Sequence, residues 1–397
     1  MQRHLPVNPQ QVADRLWREG PAVDFVAPSA DWSSFIVQPL PCFSPLICDF
    51  VAALSARLKQ DSRRHPDLSA FGFWLRPRHI DEQRKRMQGR APLGMVFHLV
   101  PSNVPTVAFY SWLMALLMGN PCVVRLSSRI DPVQEAMLAI LQELFSQPEW
   151  HGIASRTRFI RYGHDEAVTA WLSACCRLRI VWGGDEAIRQ IRAIPLSPAA
   201  QEMVFPDRRS MAVLDSEWLT GLDPACWQQT MTALQQDCTR FNQQACASPT
   251  MLCWLGTPDE ALRQRLLEYV FFPFNDDPAL TMERLIQCQM NAAMLKEGAV
   301  AVFAGSVLLT LPSPVNLPHI GGGMASEWVA DGWEAVQAVD WNVQTCVYVG
   351  ADICSARDQL RIATGRIDRV VTPGQALAFE WFWDGVDMLG CCSRVIR

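Results

Sequence analysis

Four sets of residues have types and spacings that could carry chemistry. The first is Phe241-Asn242-Gln243-Gln244-Ala245-Cys246-Ala247-Ser248-Pro249, where one Cys is surrounded by small residues between a helical pattern and an apolar run. A thiol at such a junction has free backbone N–H groups beside it, which suits a nucleophile with an oxyanion site. The second is Val100-Pro101-Ser102-Asn103-Val104-Pro105. It reads either as a helix start capped by Asn103 or as a turn whose Asn103 amide donates to an oxyanion. The third is Arg125, Ser127, Ser128 and Arg129 after Gly119-Asn120-Pro121. Cations and hydroxyls at a strand end, with no acid in that run, suit a ribose 2′-phosphate better than a free 2′-hydroxyl, and so NADPH over NADH. The fourth is Trp182-Gly183-Gly184-Asp185-Glu186. Its glycines let a backbone approach a pyrophosphate, although Asp185 and Glu186 also fit a plain helix start.

The elements that must position these groups alternate. Short apolar runs at Leu93–Val100, Pro121–Leu126, Arg158–Tyr162 and Arg179–Trp182 are separated by helical patterns at Val104–Met118, Asp131–Phe145, Asp165–Cys175 and Asp185–Arg192. Such alternation predicts an α/β fold with a parallel, doubly wound sheet and ligands at the carboxyl ends of its strands. A second unit follows, with strands at Ser210–Leu214, Thr250–Leu255, Ala299–Phe303 and Val307–Leu311, and helices at Pro224–Arg240, Glu260–Phe271 and Thr281–Leu295. The expected segmentation is a helical segment plus an NADP(H)-binding α/β domain over 1–208, a catalytic α/β domain carrying Cys246 over 209–375, and a C-terminal strand or arm over 376–397.

Composition narrows the function classes. The 397 residues are 49% hydrophobic and 19% charged, which is globular and not disordered, and the formal charge of −5 gives no basic surface for nucleic acid. The 14 cysteines lack any CxxC spacing, so neither a zinc ribbon nor another metal site is expected. Without an N-terminal apolar run of signal length, the thiols are expected to be reduced and the chain cytoplasmic. Residues 91–124 carry no Asp, Glu, Lys or Arg, but prolines interrupt them and the remainder falls short of a membrane span.

In chain order, Trp74-Leu75-Arg76, Val100–Pro105, Val181–Glu186, Gln243–Pro249, Gln344-Thr345 and Trp383-Asp384-Gly385 resemble the LuxC-type fatty acyl-CoA (acyl-protein thioester) reductases of the aldehyde dehydrogenase superfamily. The resemblance runs over roughly residues 40–397 and implies an aldehyde-dehydrogenase-like fold of two doubly wound α/β domains with a C-terminal extension. It also implies that Cys246 is the nucleophile, with Asn103 and the Cys246 N–H as the oxyanion hole. By the same resemblance, Arg125, Ser127 and Ser128 hold the NADPH ribose, Gly183 and Gly184 lie by the cofactor, and Phe109, Trp112 and Met114 face the acyl chain. For those three, plain core packing is the favoured reading. Hydrolytic aldehyde dehydrogenases carry a Glu where this chain has Phe205, and Glu202 three residues earlier is a poor substitute. Water attack on an acyl-enzyme then lacks its base.

The expected reaction is NADPH-dependent reduction of a fatty acyl thioester to the aldehyde through acyl-Cys246. The donor would be acyl-CoA or an acylated partner protein resembling an acyl-protein synthetase subunit, and the reductase a homo-oligomer. A short-chain CoA-acylating aldehyde dehydrogenase and a non-redox acyl- or partner-binding subunit are the alternatives.

Overall fold

A computed structural model of the chain describes residues 20–60, 65–101, 104–274, 278–295, 299–303, 306–319 and 321–396. It divides into two compact units, one of residues 1–206 with 386–397 and one of residues 207–385.

In the first unit the sheet order is Asp24–Ala27, Thr157–Arg161, Cys122–Leu126, Val96–Leu99, Leu178–Trp182, Gln201–Phe205. All neighbours are parallel except the edge strand Asp24–Ala27, which pairs antiparallel with Thr157–Arg161. That edge strand lies in a stretch whose composition reads as helical. The central strand Val96–Leu99 is buried on both faces, as a parallel strand covered by helices must be. Every residue of the helix Val107–Leu117 that follows it is buried too. The apolar part of the run 91–124 is therefore interior and not lipid-facing, and no helix among the described residues is long and apolar enough to cross a membrane. The chain returns to this unit at its end. Ser393–Val395 pairs antiparallel with Arg90–Pro92, and the Asn120 amide donates to the Cys392 carbonyl at 2.7 Å.

Among the described residues, the main sheet of the second unit has seven strands, in the order Ala299–Phe303, Ser306–Thr310, Met324–Ala330, Pro249–Leu255, Arg209–Asp215, Val343–Val349, Ile367–Val371. Only the Ala299–Phe303/Ser306–Thr310 hairpin is antiparallel. The period-two alternation of Arg209–Asp215 sends Ala212 and Leu214 to one core layer, with Leu234 and Leu266, and Met211 and Val213 to the other, with Cys288 and Val336. Helices thus cover both faces, and the doubly wound α/β class expected from the sequence is the class observed. Buried Glu327 joins one helical layer to the sheet, accepting from Arg263, from Trp254 Nε1 at 3.0 Å and from Thr310 Oγ1 at 2.9 Å.

Candidate active site

The helix Pro224–Thr239 starts cleanly, with Pro224 in the first turn and the Asp223 carboxylate accepting from the Ala225 and Cys226 N–H groups. Its far end is unusual. Phe241, Asn242 and Gln243 all lie in the left-handed region, with φ of 53°, 52° and 57°. Each costs on the order of 1 kcal/mol or more for an L-residue, so the surroundings must hold three in a row.

They do so through Gln243, which is buried. Its Nε2 donates to the Pro249 carbonyl at 2.9 Å and its Oε1 accepts from the Gly323 N–H at 2.8 Å. The Gly322 N–H donates to the Asn242 carbonyl at 2.8 Å. Both ends of the Cys246 loop are thereby tied to Gly321–Gly323, whose φ values of 78°, 63° and 90° require glycine. His319 braces that glycine run. Its Nδ1 accepts from the Gly321 N–H at 2.9 Å, so its Nε2–H donates to the Met324 carbonyl. Burial pushes the imidazole down to about 4, consistent with a neutral ring whose Nδ1 is already an acceptor.

Cys246 is half-buried at the apex. Ser210 Oγ donates to its carbonyl at 2.6 Å and accepts from the Thr345 N–H at 3.1 Å. Burial, then the Asp384 carboxylate, push the thiol up to about 11, opposed by hydrogen bonds from the Arg208 backbone and from the residue's own backbone. The Cys246 N–H thus faces its own sulfur, where an oxyanion on a carbon bonded to that sulfur would be received. Several buried polar atoms here have no hydrogen-bond partner, namely Ser248 Oγ, Thr250 Oγ1, Gln344 Oε1 and Thr345 Oγ1. Such clustering marks a site built for something other than stability. Gln243 lies in a motif of the sequence, but nothing in the sequence tells its buried bonding, and Ser210, 36 positions from Cys246, carries no signal at all.

In the first unit, Leu99 is the register partner of both Arg125 and Val181. Gly183 follows the strand on one side of Val96–Leu99, and Arg125 lies on the strand on the other side. The chain order reverses across Val96–Leu99, and a doubly wound sheet offers its ligand crevice at such a switch point. Trp182 is anchored beneath the glycine turn, its Nε1 donating to Ser111 Oγ at 3.1 Å while His98 Nδ1 meets the same oxygen at 2.8 Å. A Cβ on Gly183 would meet only the Ala187 Cβ, at 3.6 Å, so the turn is open on its outer side. Arg125 lies over the Tyr162 ring and donates weakly to its carbonyl at 3.4 Å, with a buried Nε lacking a partner. These groups fit a dinucleotide, the orphaned Arg125 Nε above all.

Some expectations change. The strand end does meet an acid, because Glu135 pairs with Arg161, which also donates to the Ser127 carbonyl at 3.3 Å. Ser128 is exposed, and Ser127 Oγ accepts from the Arg129 N–H at 3.1 Å. Phe109, Trp112 and Met114 are wholly buried. Phe109 packs on Phe159 and Trp112 on Phe50, Phe145 and Phe159, so these side chains are core and no acyl contact is assigned to them. Asn103 lies outside the described residues. Phe205 stacks on Trp182 with ring centroids 3.8 Å apart. Glu202 is clamped by Arg179 and Arg192, three residues or ~10 Å back along the strand.

Compared with known proteins, residues 74–264, just under half the chain, match the model of the family described as acyl-CoA reductase (LuxC). Residues 74–264 are LuxC-like. The LuxC-like stretch contains Cys246, Gln243, Gly183, Gly184 and Arg125. The long-chain acyl-protein thioester reductase of Photobacterium phosphoreum is 26% identical over 180 residues, which is 45% of this chain and 34% of that protein. The enzyme of the same name from Vibrio harveyi is 26% identical over 213 residues, 50% of this chain and 42% of its own length. The matched region thus spans well under half the length of these relatives. Solved structures extend the likeness in fold beyond the LuxC-like stretch. A mutant of the P. syringae AldA indole-3-acetaldehyde dehydrogenase, in complex with NAD+, superposes with TM-score 0.64 at 13% identity, covering 88% of this chain and 82% of that one. PnpE in complex with nicotinamide adenine dinucleotide gives 0.62 at 14%, covering 84% and 79%. The fold is that of the aldehyde dehydrogenases.

Proposed function

We propose that the chain reduces a fatty acyl thioester to the aldehyde at the expense of NADPH, through an acyl group carried on Cys246. The observation that supports this most is the Cys246 loop, with three left-handed residues held by Gln243 and the thiol set over its own N–H, inside the stretch that matches the LuxC model. The Cys246 thiolate attacks the thioester carbonyl, and the Cys246 N–H, with Asn103, stabilises the oxyanion. Collapse expels the carrier thiolate, which takes up a proton, and leaves acyl-Cys246. Arg125 and the Gly183–Gly184 turn would hold NADPH, which would supply the hydride that reduces the acyl carbonyl. The resulting thiohemiacetal collapses to the aldehyde and returns the Cys246 thiolate.

Phe205 supports reduction over hydrolysis, since an aromatic ring stacked on Trp182 cannot activate water. The donor is acyl-CoA or an acylated partner protein, the latter in keeping with the names of the curated relatives. The test is the Cys246→Ala variant, which is expected to lose NADPH oxidation driven by long-chain acyl-CoA while still binding NADPH. Turnover at the wild-type rate in that variant would overturn the reading.

A further inference from the structure

Two of the sequence motifs, Gln344-Thr345 and Trp383-Asp384-Gly385, have no part in the reaction as written above. They are bonded to each other, Gln344 Nε2 donating to Asp384 Oδ1 at 2.7 Å, and both side chains are buried. They also close a ring around Cys246. The Cys246 carbonyl accepts from Ser210 Oγ, which accepts from the N–H of Thr345, the neighbour of Gln344. On the other side Arg366 Nη2 donates to the Asp384 carbonyl at 2.8 Å and Arg366 Nε pairs with Asp368. Asp368 lies 3.3 Å from Arg208 Nη1, without the alignment of a hydrogen bond, and the Arg208 backbone reaches the Cys246 thiol. Asp384 sits at φ 49° and Gly385 at 71°. A Cβ on Gly385 would come within 2.9 Å of Arg366 Nη2 and 3.1 Å of Asp368 Oδ1, so the turn that aims Asp384 depends on that glycine.

We propose that Asp384, held by Gln344, is a positioning residue that sets the protonation of Cys246 by facing the thiol with a carboxylate. This rests on Cys246 being the reactive thiol. An ionised Asp384 opposes the thiolate, and a neutral one does not. Arg208, Asp368 and Arg366 face Asp384, while Asp384, Asp207 and the Arg208 backbone face Cys246. Burial first, against Gln344 and the two arginines, pushes the Asp384 carboxyl up to about 6, so the switch falls in a range where the protein can be assayed. In the resting protein at neutral pH the carboxylate is ionised and Cys246 is kept as the less reactive, less oxidisable thiol.

The test is the rate of iodoacetamide alkylation of the full chain from pH 5 to 9, with the label located by peptide mass spectrometry. In the wild type the logarithm of the Cys246 rate should rise with pH, flatten near pH 6 and rise again. Asp384→Asn, which suits a left-handed position, should give one straight limb and alkylate several-fold faster above pH 7. Asp384→Glu should keep the flattened profile. Label on Cys246 with an Asp384→Asn profile no different from wild type, or slower, overturns the proposal alone. A wild-type profile without the flattening does the same even if the variant fails to fold. Label that spares Cys246 in Asp384→Asn as well as in the wild type, across the whole pH range, overturns the function proposed above, and this inference with it.

Discussion

Cys246 is one of 14 cysteines, and its partial exposure separates it from those packed inside the sheets. Cys253 and Cys346 are fully buried in the sheet, where burial pushes the first thiol far up and the second to about 12, and they are inert packing. Cys246 is half-buried, with backbone donors facing the sulfur. Replacing Gln243 by Ala removes two hydrogen bonds and leaves the Gly323 N–H unpartnered. We expect a loss of about 2 kcal/mol in urea unfolding and a slower acylation step with little change in substrate KM. A loss confined to stability, with acylation unchanged, would make Gln243 merely structural. Arg125→Gln should raise the KM for NADPH on the order of tenfold, about 1.4 kcal/mol, and leave that for NADH nearly unchanged. Equal effects on both cofactors would remove the 2′-phosphate from the assignment. The motifs Gln243–Pro249 and Trp383-Asp384-Gly385 mark Gln243 and Asp384 in the sequence but not their roles, because those depend on contacts to Gly323 and Gln344 that are distant in the chain.

The active loop depends on a second loop, Gly321–Gly323, and on His319 behind it. For a histidine whose folded value is lowered from 6.5 to about 4, the associated stability is fully present above pH 6.5 and is lost as pH falls through 4. Protonation would also break the Gly321 N–H···Nδ1 bond. Hydrogen exchange should therefore show the Gly322 and Gly323 amides losing protection between pH 6.5 and 4, earlier than the strand amides of Val343–Val349. Simultaneous loss would mean that His319 does not govern this loop. Gly323→Ala meets Ser306 Oγ at 2.7 Å and Phe274 at 2.8 Å from a φ of 90°, so it should cost roughly 2–4 kcal/mol. Denaturant unfolding measures that cost directly. The Pro/Gly-rich composition of 312–323 marks a loop in the sequence, yet nothing in it tells that its glycines pack against Asn242 and Gln243.

Across the molecule, the alternation of apolar runs and helical patterns foretells two helix-covered parallel sheets, because a strand buried on both faces must be largely apolar, as Val96–Leu99 and Val343–Val349 are. Weak local signals hide the rest. Asp24–Ala27 is four residues of edge strand, and Ser393–Val395 is three residues whose partner, Arg90–Pro92, is about 300 positions away. Ending the chain after Gly385 would remove that strand and the Cys392 carbonyl that satisfies buried Asn120, so thermal unfolding should begin several degrees lower. An unchanged melting curve would show that the returning segment contributes nothing. The most direct test of the central claim is the intact mass of the protein after long-chain acyl-CoA alone, and again after NADPH is added. The account predicts one acyl adduct, mapped to Cys246, that disappears with NADPH as fatty aldehyde forms. No adduct, an adduct on another cysteine, or an adduct released only as free fatty acid would contradict it.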